Sequence, residues 1–184
     1  AGVAKCRLVI VGAGGFAREV AWLVREINKA GGPVQFETLG FVVSDLTKLG
    51  PNDSRSEVLG DLGWLETGRA DAVAIGIGDP SARLRVGQLL SDRFPRLELP
   101  SLIHPTVVAD FDSCQFGPGV LLCARTILTV NVRVQQFAMV NAASSIGHES
   151  VIGPGCVLNA AVNISGGVHL ESGVLVGTGA VVLQ

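Results

Sequence analysis

The sequence predicts an α/β domain followed by a parallel β-helix, and three observations carry that prediction. From Phe116 to Val182 every sixth residue is a medium or large apolar side chain, through Leu122, Leu128, Val134, Val140, Ile146, Ile152, Leu158, Ile164, Leu170 and Val176. Four residues after each stands a small or β-branched residue, among them Val120, Thr126, Ser144, Cys156 and Val168. Upstream, apolar runs alternate with an amphipathic segment in β-α-β order. Neither the helical period of about 3.6 residues nor the strand period of two persists at six, so the second half is a repeat that winds.

At 184 residues the chain has room for two small domains, and the change of texture places them at residues 1–102 and 103–184. The 48% apolar content and mean hydropathy of +0.47 are high. Asn, Ser and Gly nevertheless recur through the repeats, which breaks any run of about 20 apolar residues, so no membrane span is expected. Arg7-Leu8-Val9-Ile10-Val11 is too short for a signal-peptide core and runs straight into Gly12 and Gly14. It reads as a strand of a cytoplasmic protein. Cys6, Cys114, Cys123 and Cys156 lack C-x-x-C spacing and read as reduced, packed thiols. A net charge of −2 without basic runs leaves no footprint for nucleic acid.

The first domain reads as Rossmann-like. After the strand Arg7–Val11, Gly12-Ala13-Gly14-Gly15 makes a tight turn, and Phe16, Val20, Leu23, Val24 and Ile27 mark one face of a helix ended by Gly31-Gly32-Pro33. Strands follow at Phe36–Val43 and Asp71–Gly76, around a looser region containing Leu59-Gly60-Asp61. Ser81 is expected to cap a second helix that buries Leu84, Leu89 and Leu90. The alternation implies a small parallel sheet covered by helices.

The repeats are expected to start at His104-Pro105-Thr106 and to run in one register, without insertion, to Val182. Each short strand turns its apolar and small residues inward and the residue between them outward. Gly117, Asn141, Gly147, Gly153, Asn159 and Gly177 open the intervening turns, where a left-handed backbone would suit Gly and Asn. With Gln184 closing the chain before another coil and no capping element, the winding is expected to be incomplete.

The repeat [LIV]-[GN]-x-x-[small]-x resembles the hexapeptide signature of left-handed β-helix acyltransferases. Further motifs fall in the order of one group: Val11-Gly12-Ala13-Gly14-Gly15-Phe16-Ala17-Arg18-Glu19-Val20, Gly40-Phe41-Val42, Leu59-Gly60-Asp61, Ile103-His104-Pro105-Thr106, Val140-Asn141, Ile146-Gly147-His148-Glu149 and Ser165-Gly166-Gly167-Val168. Together they resemble the sugar acyltransferases of the sialic-acid O-acetyltransferase, bacillosamine-pathway and perosamine N-acetyltransferase group. That resemblance implies a left-handed helix of three hexads per coil and a homotrimer. It implies His148 as catalytic residue with Glu149 as acidic partner, and a nucleotide-linked amino sugar at Gly12, Gly14, Gly15, Phe16, Asp45 and Asp79. It also implies acetyl-CoA beside Val157, Gly166, Gly167 and Gly177. Where the group continues G-F-[LIV]-D-D, this chain has Gly40-Phe41-Val42-Val43-Ser44-Asp45, a reduced and displaced acidic pair.

Three hexads per coil stack residues eighteen apart. His148 then lies between Val130 and Gly166, with Gly167 above Glu149. A histidine beside a glycine corner has room for a thioester and a nearby backbone N–H for the developing oxyanion, which suits direct acyl transfer with His148 as general base. Gly12-x-Gly14-Gly15 between strand and helix can cradle phosphates, or can be a tight turn without a ligand. His104 reads as structural, His169 as solvated and Cys156 as buried packing, and three dispersed histidines argue against a metal site. Leu121, Met139, Val157 and Leu175 form an outward apolar column, expected to lie in the subunit interface. The other outward columns are Gln115, Arg133, Val151, His169 and Ala109, Ile127, Ser145, Asn163, Val181, and Asn141 and Asn159 could ladder along one corner.

These observations favour an acetyl-CoA-dependent N-acetyltransferase of a nucleotide-linked amino sugar. Two alternatives stay open: an O-acetyltransferase of a free sugar acid, in which the glycine loop is vestigial, and a non-catalytic assembly subunit that binds nucleotide sugar.

Overall fold

The computed structural model describes residues 4–53 and 55–184. They fall into two compact units, one taking the chain up to Gly78 together with Val86–Pro100, the other Asp79–Arg85 with Ser101–Gln184.

The first unit is built on β1 (Ala4–Val11), α1 (Gly15–Ala30), β2 (Val34–Val43), β3 (Val58–Asp61) and β4 (Ala72–Ile75), in a parallel sheet of order β3-β2-β1-β4. The strand β3 forms within the region expected to be loose. Leu8–Val11 and Ala72–Ile75 are fully buried, which is why both runs are continuously apolar rather than alternating. Ala17, Val20, Leu23 and Val24 bury one stripe of α1. Its end is tied to β2 by reciprocal bonds, Asn28 Nδ2 donating to the Phe36 carbonyl at 2.8 Å and the Phe36 N–H to Asn28 Oδ1 at 2.9 Å.

The helix α2 (Pro80–Arg93) contributes to both units, its residues to Arg85 counting with the second. Its cap is Asp79, whose Oδ1 accepts the Ala82 N–H at 2.7 Å, and not Ser81, which lies one residue inside the helix. Leu90 is buried as expected, but Leu84 and Leu89 are half-buried and Arg83 is buried completely.

The second unit is a left-handed parallel β-helix of two-residue strands. One face stacks Leu102–Ile103, Leu121–Leu122, Met139–Val140, Val157–Leu158 and Leu175–Val176. A second stacks Val108–Ala109, Ile127–Leu128, Ser145–Ile146, Asn163–Ile164 and Val181–Val182, and a third stacks Gln115–Phe116, Arg133–Val134, Val151–Ile152 and His169–Leu170. The second residue of each strand and the small residue before it fill the axis, so the hexad pattern is the core pattern. Where the small residue is Thr126, Ser144 or Ser150, its buried hydroxyl donates to a backbone carbonyl, as Ser150 does to Ser165 at 2.9 Å, which removes the cost of burying it.

The register departs from expectation once. Ser145 pairs with Asn163 eighteen residues on, but Leu102 pairs with Leu121 and Val108 with Ile127, nineteen on. The turn Asp110–Cys114 therefore carries one inserted residue, and the second outward column begins at Val108, not Ala109.

The reason for glycine at the corners also differs from expectation. The left-handed residue is the third of each turn, where Arg125, Asn131, Phe137, Ala143, Glu149 and Ala161 adopt φ of 56 to 62°. Each such residue that is neither Gly nor Asn carries a strain of about 1–2 kcal/mol. Gly117, Gly147 and Gly153 open their turns because the next coil passes too close for a side chain. A Cβ on Gly147 would stand 2.5 Å from the Gly166 nitrogen.

The apolar column on the first face is covered within the unit. Leu121, Met139 and Val157 are buried, and only Leu175 is exposed. Arg83 donates from Nε to the Phe137 carbonyl and from Nη2 to the Gly119 carbonyl at 3.3 Å, and Leu84 lies against Gly155. The start of α2 thus closes the face that the sequence left open, and Leu121, Met139 and Val157 cannot be a free subunit interface. Asn141 and Asn159 do not ladder: the Asn141 carboxamide accepts the Ala142 N–H at 2.7 Å.

Candidate active site

The turn Gly147–Ser150 projects two side chains in opposite directions. His148 is exposed, and its ring lies against Gly166 one coil on, where a Cβ would stand 2.6 Å from Cε1 and 2.8 Å from Cδ2. Only a glycine leaves that space. The backbone beneath is fixed, since the Gly167 N–H donates to the His148 carbonyl at 2.7 Å and the Gly147 N–H to Ile164 at 2.8 Å. Among the described residues the His148 ring has no hydrogen-bond partner, and the Gly166 N–H has no acceptor. An exposed imidazole and a backbone N–H without an acceptor thus lie on neighbouring coils, and acyl transfer to an amine or hydroxyl uses a base and a donor of these kinds.

Glu149 does not orient this ring. Its left-handed backbone, φ 61°, is held by the N–H bond to the Val130 carbonyl, and its Oε1 accepts from Asn131 Nδ2 at 2.6 Å. The expected His148–Glu149 contact is replaced by one between coils, because Gly167 above offers no partner while Asn131 below does.

The other expected acetyl-CoA positions divide. Gly166, Gly167 and Gly177 lie at or near the surface, Gly177 with open space around it. Val157 is fully buried. Cys156 is buried as expected; burial pushes its thiol up, and its Sγ donates to the Glu171 carbonyl at 2.8 Å. His104 is buried with Nδ1 accepting the Thr106 N–H at 3.1 Å, a structural role, and His169 is exposed.

In the first unit a cleft of about 200 Å³ opens beside the glycine loop, lined in part by Gly12, Ala13, Asp45, Lys48 and Asp53. Gly12 serves the fold: φ is +108°, a Cβ would stand 2.7 Å from the Gly76 carbonyl oxygen, and its N–H donates to the Val42 carbonyl at 2.8 Å. It offers no N–H to a phosphate. Gly14 is the extended N-cap of α1, with no side chain satisfying the first-turn N–H groups that Gly15 and Phe16 begin. Arg18, unassigned by the sequence reading, reaches over this turn to the Asn52 carbonyl at 2.6 Å. Asp45 Oδ1 accepts the Thr47 hydroxyl at 2.6 Å and its N–H at 2.9 Å, bonds that hold its carboxyl below the usual range, and Lys48 stands 3.5 Å away. Asp53 places Oδ1 3.8 Å from the Cβ position of Gly14. Asp79 belongs to the other unit, where it caps α2. Among the described residues no group of His, Cys, Asp and Glu has the arrangement of a metal site, and no helix is long and apolar enough to cross a membrane.

Residues 7–90 match the model of the PglD N-terminal domain. No curated protein matches the chain. Among solved structures, WeeI from Acinetobacter baumannii AYE is similar at 24% identity and a TM-score of 0.69, over 98% of this chain and 90% of that one. PerB from Caulobacter crescentus, in complex with CoA and GDP-perosamine, is similar at 20% identity and 0.57, over 100% and 97%. The acetyltransferase domain of PglB from Neisseria gonorrhoeae FA1090, in complex with acetyl coenzyme A, gives 19% and 0.51, over 98% and 97%. The chain shares the fold of these three proteins. Within it, the N-terminal half carries the PglD-type domain.

Proposed function

We propose that this chain is an acetyl-CoA-dependent N-acetyltransferase acting on a nucleotide-linked amino sugar. The observation that carries the reading is the exposed His148 ring lying against Gly166, whose own N–H is unbonded. A neutral sugar amine attacks the thioester carbonyl while His148 takes its proton. The oxyanion that forms is met by the Gly166 N–H, and collapse of the adduct expels the CoA thiolate, which recovers the proton from His148. CoA or acetyl-CoA in PerB and the PglB domain, and GDP-perosamine in PerB, support the two substrate classes. The first-turn N–H groups at Gly14, Gly15 and Phe16 would hold the nucleotide phosphates.

Assembly as a homotrimer is part of this reading, through the second face of the β-helix. Val108, Ile127 and Val181 expose their side chains there, and Val130 exposes its own one coil below His148. Such a column beside the catalytic corner is a surface that a second copy would cover.

A second reading, O-acetylation of a free sugar acid, is favoured by the Asp53 carboxylate close to Gly14 and by the engaged Gly12 N–H, both unhelpful to a phosphate. Calorimetry separates the two. Binding of UDP-, GDP- or dTDP-amino sugars, abolished by Gly14→Val, supports the first; binding of free sialic acid alone supports the second.

A further inference from the structure

Asn131 stands one coil below Glu149 in the left-handed slot of its own turn, with φ 56°. Its Nδ2 donates to Glu149 Oε1 at 2.6 Å, while its backbone N–H donates to Ser113 Oγ at 2.9 Å. Ser113 in turn donates to Asp110 Oδ2 at 2.5 Å. The inserted residue of the Asp110–Cys114 turn lies in the segment that supplies this support. A polar chain thus climbs the corner, Asp110 to Ser113 to Asn131 to Glu149, and ends on the residue that follows His148 in sequence. Glu149 Oε2 has no partner among the described residues.

We infer that Asn131 is a positioning residue for the transfer reaction: by fixing the Glu149 carboxylate to the coil below, it holds the turn that carries His148. The inference rests on the acetyl-transfer reading above. A carboxylate on a Glu side chain has three rotatable bonds, and one short bond to a rigid coil removes most of that freedom before substrate arrives. Asn suits the place twice, because its carboxamide is a donor and its backbone tolerates the left-handed slot.

The test uses Asn131→Gly, which keeps the slot unstrained and removes only the amide, in wild-type and Glu149→Ala backgrounds of the full chain. With acetyl-CoA and UDP-, GDP- and dTDP-amino sugars, Asn131→Gly is expected to lower kcat about tenfold with KM unchanged, a part of the ~100- to 10,000-fold that acid–base assistance supplies. In the Glu149→Ala background it should cause no further loss. Equal losses in both backgrounds, or no loss in either, would overturn the assignment. A second readout needs no turnover: one Asn131 side-chain amide proton should resonate downfield in a ¹H–¹⁵N spectrum and move upfield in Glu149→Ala. An Asn131 amide indifferent to that substitution rejects the positioning. If the wild type acetylates no sugar, acetyl transfer is the reading that fails, and the amide signal still decides whether Asn131 holds Glu149.

Discussion

The imidazole of His148 occupies the space that a side chain on Gly166 would need, one coil of β-helix apart. Two residues eighteen positions apart in sequence are thereby one structural unit. Gly166→Ala would drive its Cβ into the ring, whose far end can swing clear at little cost to stability. We expect unchanged melting and a loss of about a hundredfold in kcat/KM, the scale of a misplacement near 1 Å. Gly167→Ala should do the reverse, since φ there is +69° and a side chain adds strain of about 1–2 kcal/mol without touching His148. Steady-state kinetics and thermal melts on the pair decide this.

Arg83 should matter to stability far more than a helix arginine usually does. It is completely buried and donates to the Phe137 and Gly119 carbonyls, and desolvation lowers its pKa to about 9. Arg83→Ala removes these donors and opens a cavity beneath α2. The expected loss is about 3 kcal/mol in urea unfolding, against under about 1 kcal/mol for an exposed substitution such as Arg85→Ala.

That arginine also shows where the sequence stops being legible. The hexads located the β-helix and its core because each coil repeats one local rule, and the Gly166–His148 stack followed from stacking residues eighteen apart. The inserted residue in Asp110–Cys114 was invisible because a lone extra turn residue changes no hydrophobic period before the repeats have settled. The covering of Leu121, Met139 and Val157 was invisible for a different reason. Their cover comes from α2, and a basic residue at position 83 gives no warning that it will be buried on backbone carbonyls. The Asn131–Glu149 bond was missed because an acidic residue beside histidine suggests a sequential pair, whereas here the corner directs the two side chains to different coils.

The corrected surface makes a separate prediction. Ile127→Glu with Val108→Glu should abolish self-association in sedimentation while leaving the fold intact. Leu121→Glu should instead unfold the β-helix, because it places a charge against a buried face. An Ile127/Val108 variant that still forms trimers would move the interface elsewhere.

In the first unit, Arg7 donates to Asp71 through its side chain at 2.7 and 2.9 Å and through its N–H at 2.9 Å, holding the Asp71 carboxyl at about 2 instead of the ordinary 3.8. A depressed folded pKa contributes stability that is full above the unfolded value and is lost as pH falls through the folded one. Melting temperatures of wild type and Asp71→Asn should therefore differ by a constant amount above about pH 5 and converge toward about pH 2. A gap that persists at pH 2 would assign it to packing.

The most direct test of acetyl transfer at this corner is turnover of acetyl-CoA with UDP-, GDP- and dTDP-linked amino sugars by wild type and His148→Ala. Wild type is expected to release CoA with at least one of them, and removing the histidine to lower the rate about 100- to 10,000-fold. Equal rates in the two proteins would contradict it.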